Sequence, residues 1–144
     1  MKRKTLLALV ILCAVAAAAL AVLFSGSRPN KNLTASDITY AEAYMITNNG
    51  TKLQSQLTDY ETLAALLREI SVGRKDLACA PVNGGCDVTT FALILMDGTC
   101  YDIAVKSPYV SINGQGFRAK RKPCEALEHY GLEQLGIRFE LGGN

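Results

Sequence analysis

Polar and apolar positions divide the chain sharply. From Thr5 to Phe24 every residue but Thr5 is apolar, and Lys2, Arg3 and Lys4 stand in front. As a helix these 20 residues would span about 30 Å, the thickness of a hydrocarbon core. Ser25–Asn32 (SGSRPNKN) is polar with Gly and Pro and reads as a short tether. Beyond it the pattern alternates. Asn49-Gly50, Asp97-Gly98 and Asn113-Gly114 each sit between apolar stretches and predict two-residue type I′ hairpins. The flanking strands are Ile38–Ile46 with Thr51–Leu57, Thr89–Met96 with Thr99–Lys106, and Tyr109–Ile112 with Gln115–Ala119.

Between the first two hairpins the spacing predicts a long helix over Asp59–Ser71. Tyr60, Leu63, Leu66, Leu67 and Ile70 form its apolar stripe, Thr58 and Glu61 a capping box, and Gly73 its end. A shorter helix starts at Pro123 and stops near Tyr130, before Gly131. Ile137, Phe139 and Leu141 alternate with charges and predict a last strand. The fold class is therefore α+β: an N-terminal apolar helix, then an antiparallel sheet of about six strands packed by one long and one short helix. A two-residue loop at Asp97-Gly98 sets Ile94 opposite Tyr101. That puts Ala92, Ile94, Met96, Tyr101, Ile103 and Val105 on one face, and Phe91, Leu93 and Leu95 on the other with Cys100, Asp102 and Lys106. The long helix is expected on the first face, and the short helix or the Asp76–Val88 loop on the second.

Composition changes this picture only after it is divided. The 144 residues carry a net charge of +2, but residues 25–144 hold 12 basic against 13 acidic groups. A strongly basic nucleic-acid binder is thereby excluded. Residues 1–24 read as a signal anchor or signal peptide, 25–35 as a linker and 36–144 as an extracytoplasmic domain. The basic start places that domain outside a membrane held by residues 5–24, or secreted if the segment is cleaved near Ala21 or Ser27.

An exported domain can keep disulfides. Cys79 and Cys86 flank a flexible six-residue loop, so they are expected to pair, leaving Cys100 to pair with Cys124. Zinc and redox chemistry fit poorly, because no Cys-x-x-Cys or Cys/His spacing of the usual kind occurs. His129 is the only histidine, with Glu125 one turn earlier. The pair could act as a general base, but no nucleophile elbow, zinc helix or phosphate loop accompanies it. No catalytic, cofactor or metal residue is assigned. Arg118, Lys120, Arg121 and Lys122 form one basic cluster that could touch an anionic surface.

The lysine-rich start with one apolar span, the strand pair and amphipathic helix, then FALILMDGTCYDIAV (Phe91–Val105), YVSINGQGF (Tyr109–Phe117) and a closing helix give a family look. It resembles small extracytoplasmic domains of unknown function in signal-anchored or secreted proteins of Firmicute-type Gram-positive bacteria. The resemblance covers most of residues 36–135. It implies export and an α+β domain but no activity, and the cysteines lie outside it. The expected function is a non-enzymatic module binding a protein, peptide or envelope ligand. The alternatives are a secreted protease inhibitor presenting the Cys79–Cys86 loop and a small extracellular enzyme using His129 and Glu125.

Overall fold

The computed structural model describes residues 3–24, 26–75 and 87–138. Helix α1 (Arg3–Phe24) precedes a seven-stranded antiparallel sheet of β1 (Ile38–Ile46), β2 (Lys52–Gln56), β3 (Val72–Lys75), β4 (Thr89–Leu95), β5 (Cys100–Lys106), β6 (Tyr109–Ile112) and β7 (Gln115–Ala119). Its order is β2-β1-β4-β5-β6-β7-β3. Helices α2 (Tyr60–Glu69) and α3 (Arg121–Gln134) complete the α+β fold. The six expected strands are present, and β3 is the seventh. It follows α2 directly and pairs with β7, so Gly73 lies inside a strand instead of ending a helix.

The turns correct the expected register. Asn113 and Gly114 both take positive φ (48° and 84°), and Ile112 faces Gln115 across a two-residue loop. This is the type I′ turn. At the other two sites only the glycine is left-handed, Gly50 at φ 81° and Gly98 at φ 85°. The Gly98 N–H bonds the Leu95 carbonyl and the Leu95 N–H the Thr99 carbonyl; Thr47, Gly50 and Thr51 repeat the pattern. Both are three-residue loops, in which a type I turn is followed by a left-handed glycine. The extra residue shifts β5 against β4, so Leu93 faces Tyr101 and Phe91 faces Ile103. A one-residue shift exchanges faces. Phe91, Leu93 and Leu95 therefore share a face with Tyr101, Ile103 and Val105, and the polar Asp102 stays opposite with Ile94 and Cys100.

That first face carries both helices, so of the two covers expected for the second face the short helix is not there. Leu63, Ala64 and Leu67 of α2 and Cys124 and Leu127 of α3 join Ala41, Ala43, Phe91, Leu93, Ile103, Val105 and Val110 in one core. On the second face, Val88 packs with Ala104 and Tyr109. The rest of the expected covering loop, residues 76–86, lies outside the described residues. Farther along this face Glu42 accepts hydrogen bonds from the Tyr40 hydroxyl (2.9 Å) and Gln54 Nε2 (2.8 Å).

Helix ends also differ from the sequence reading. Asp59, not Thr58, caps α2: its carboxylate accepts from the Thr62 N–H at 3.0 Å and the Thr62 hydroxyl at 2.6 Å. Helix α3 runs through Gly131, and of the two it is the longer, 14 residues against 10. A Cβ on Gly131 would stand 2.4 Å from Thr89 Cγ2 and 2.7 Å from Phe91 Cζ, so glycine is there for close approach to β4. The helix stops at Gly136, whose φ is 74°. Ile137 N–H bonds the Leu132 carbonyl (2.9 Å) and Gly136 N–H the Glu133 carbonyl (3.0 Å), a Schellman motif. Ile137 and Arg138 are not in a strand; the remainder of the expected last strand is outside the described residues.

Every described side chain of α1, Leu7 to Ala19, is exposed. Among the described residues no helix is long and apolar enough to cross a membrane.

Candidate functional site

The segment expected to be a loose tether is instead a strap bonded to the domain. Ser27 and Val72 exchange two backbone hydrogen bonds of 2.8 Å. Arg28 reaches Glu69 at 3.7 Å, Arg68 Nη1 donates to the Leu33 carbonyl at 2.8 Å, and Leu33 packs against the core. The strap closes with a 3-10 turn, Ala35–Asp37. Asp37 closes it: its carboxylate accepts from the Thr34 N–H (2.8 Å) and the Thr34 hydroxyl (2.7 Å), and its own N–H bonds the Thr34 carbonyl (3.1 Å).

Between this strap and the β4–β5 turn is a cleft of about 340 Å³. Pro29, Asn30, Asn32, Leu33 and Asp37 line one side, and Leu95, Met96, Asp97 and Tyr101 the other. The volume is at the small end of ligand pockets. Three features give it chemistry. Asn30 Nδ2 is buried with no hydrogen-bond partner, so a donor is left without an acceptor, a costly state. Thr34 holds Asp37 below the usual carboxylate range, first by its hydroxyl and then by its N–H, while Asp97 opposes this from nearby. Thr99, hydroxyl first and then N–H, does the same for Asp97. Both carboxylates are therefore ionised near neutral pH. Met96, 72% exposed, supplies an apolar lip.

No protein-family model, curated protein or solved structure matches the chain. The geometry alone must carry the functional reading.

The residues singled out from sequence are placed elsewhere. Cys100 and Cys124 are both free thiols, so the expected bond between them is absent. Cys100 starts β5 on the second face. Cys124 is in the core, its Sγ donating to the Tyr109 carbonyl at 3.5 Å, and Tyr109 pairs with Lys106 at the far end of β5. Six strand residues, roughly 20 Å, separate the two, against the 4.4–6.8 Å between Cα atoms that a disulfide needs. Cys79 and Cys86 lie outside the described residues. Burial, then the Glu128 carboxylate, push the Cys124 thiol up to about 12, which suits a core residue and not a nucleophile. Glu125 reaches Arg121 at 4.0 Å, and Glu128 accepts from the Ser107 N–H at 3.1 Å. His129 is exposed on α3. Among the described residues no group of three or more His, Cys, Asp or Glu could hold a metal ion. Arg118, Lys120, Arg121 and Lys122 are all exposed, between β7 and the first turn of α3.

Sequence reasoning missed the cleft because its parts have no joint motif. Asn30 and Asn32 sit in a polar run, and Asp97 is a turn residue. One signal was available: Thr34-x-x-Asp37 has the spacing of a capping box, which marks an ordered turn where a tether was expected.

Proposed function

We propose that the chain is an extracytoplasmic binding module, tethered by α1, that captures a basic peptide segment in the cleft between the strap and the β4–β5 turn. One observation carries this reading: Asn30, whose amide Nδ2 is buried without a partner, lines the same small cleft as two ionised carboxylates. A lysine ammonium meets Asp37 and Asp97, its aliphatic stem lies along Leu95 and Met96, and a peptide carbonyl satisfies the amide once the Asn30 side chain turns from its buried position into the cleft. Tethering is supported by the apolar run Thr5–Phe24 and by the exposure of Leu7–Ala19, since a helix apolar all round requires cover that the domain does not supply. The inhibitor reading depends on the Cys79–Cys86 loop, outside the described residues. The enzyme reading draws no support from Glu125, already paired with Arg121, or from the Cys124 thiol.

The test is an NMR titration of the full chain in detergent micelles with the tripeptide amide Gly-Lys-Gly, and with its norleucine counterpart. The lysine peptide should shift the Asn30 side-chain amide and the Met96 methyl, with a millimolar Kd. D37N/D97N should weaken it about tenfold, roughly the loss of one charge-assisted contact. Absence of shifts at those groups up to about 10 mM, or equal binding of the norleucine peptide, would sink the proposal.

A further inference from the structure

We propose that the Lys120-Arg121-Lys122 corner lies against an anionic bilayer surface, so that the domain is seated on the membrane and not suspended from it. The inference rests on the tethering read for α1, and its evidence is the placement of the cluster beside the chain's exit from that helix. Ser27 bonds Val72 in both directions, Val72 pairs with Ala119, and the Lys120 N–H bonds the Ser71 carbonyl at 3.0 Å. Ser27, Val72 and Ala119 thus occupy three neighbouring strand positions, about 10 Å across. Phe24, the last residue of α1, is three residues before Ser27, which is at most about 11 Å of chain. The basic cluster therefore cannot leave the neighbourhood of the anchor's end. In sequence the two are nearly a hundred residues apart; β3 and the Ser27 bridge bring them together.

Charge at this corner is predominantly positive. Arg28, Arg118, Lys120, Arg121 and Lys122 are exposed there, with Glu69 and Glu125 as countercharges on Arg28 and Arg121. Both ion pairs are long, and the four groups' side chains are 47–72% exposed, so they leave a net positive surface. Each basic group near an anionic bilayer strengthens association about fivefold, an effect confined to a Debye length of about 10 Å. The Ser27 bridge keeps the cluster close enough for that range to matter.

The full chain is mixed with phosphatidylcholine vesicles, with or without phosphatidylglycerol, and amide hydrogen exchange is read over Arg118–Glu125. Phosphatidylglycerol should slow exchange there about threefold or more, and about 0.5 M NaCl should abolish the slowing. In K120Q/R121Q/K122Q, whose changes are on exposed positions, no slowing should occur. Identical exchange with the two vesicle types overturns the seat. Flotation with phosphatidylcholine alone reads the anchor separately: a chain that fails to float yet is protected by anionic vesicles loses the tether and keeps the surface. A chain that floats without protection loses the surface alone. Equal protection by soluble polyphosphate at matched phosphate concentration would replace the lipid assignment with a polyanion.

Discussion

Gly131 lacks a side chain because the space for one is already filled by Thr89 and Phe91. Alanine normally favours a helix interior over glycine by about 1 kcal/mol. Here overpacking against β4 costs about 1–3 kcal/mol, and the clash wins. Gly131→Ala should therefore lower the urea midpoint; an unchanged or raised midpoint would mean that α3 and β4 do not approach so closely. Cys124 gives a residue-scale pH effect. Its thiol ionises at about 12 in the folded chain against 9.0 unexposed to the fold. Because the folded value is raised, the stabilisation is complete below pH 9 and is lost as pH rises toward 12. Alkaline denaturation should show this loss, and Cys124→Ala should flatten it between those limits.

At the scale of the element, the start of α2 depends on Asp59. Removing an N-cap costs about 1 kcal/mol, so Asp59→Ala should destabilise the domain by that amount in urea melts, and Thr58→Ala should do little. The reverse ranking would restore Thr58 as the cap. Six of the seven strands were legible in the alternation of apolar residues to within a residue or so at each end; β3 was not, because Val72 is its one apolar side chain and Gly73 reads as a helix end. Helix termini were not, because Thr58 and Asp59 are both competent caps and backbone geometry alone decides between them. Turns were half legible: Asn-Gly and Asp-Gly announce a reversal, but the same pair serves a two-residue and a three-residue loop. The choice moved Phe91 and Leu93 from one face to the other. Gly131 and Gly136 show the same ambiguity, one glycine serving packing and the other a left-handed helix end.

At the largest scale, α2 and α3 form one layer on one face of the sheet, with residues 26–37 strapped to it. The candidate cleft was illegible because Asn30 and Asp97 meet only through that strap and the β4–β5 turn, which are far apart in sequence. The cysteines misled for a related reason. Spacing counts thiols but does not say which side of a sheet each one faces. A bonded strap should resist proteolysis: native cleavage within Arg28–Thr34 should be slow, and Arg68→Met, which removes the bond to the Leu33 carbonyl, should speed it severalfold. Fast cutting in the unaltered chain would contradict the strap.

In an exported chain, the bridge at Ser27 would also set an order of events. The chain offers small residues for a processing peptidase at Ala19-Leu20-Ala21 and again at Ser25-Gly26-Ser27. Once Ser27 has joined the edge of β3, its backbone is no longer available to a protease that needs an extended substrate. In a chain processed there, scission after Ser27 would belong to the interval before the sheet closes, and it would strip the Ser27 pairing from that edge. Scission after Ala21 would leave the bridge whole; what a protease must open there is the helical backbone of α1. Processing and sheet closure would therefore compete at the second site, whereas at the first the sheet plays no part.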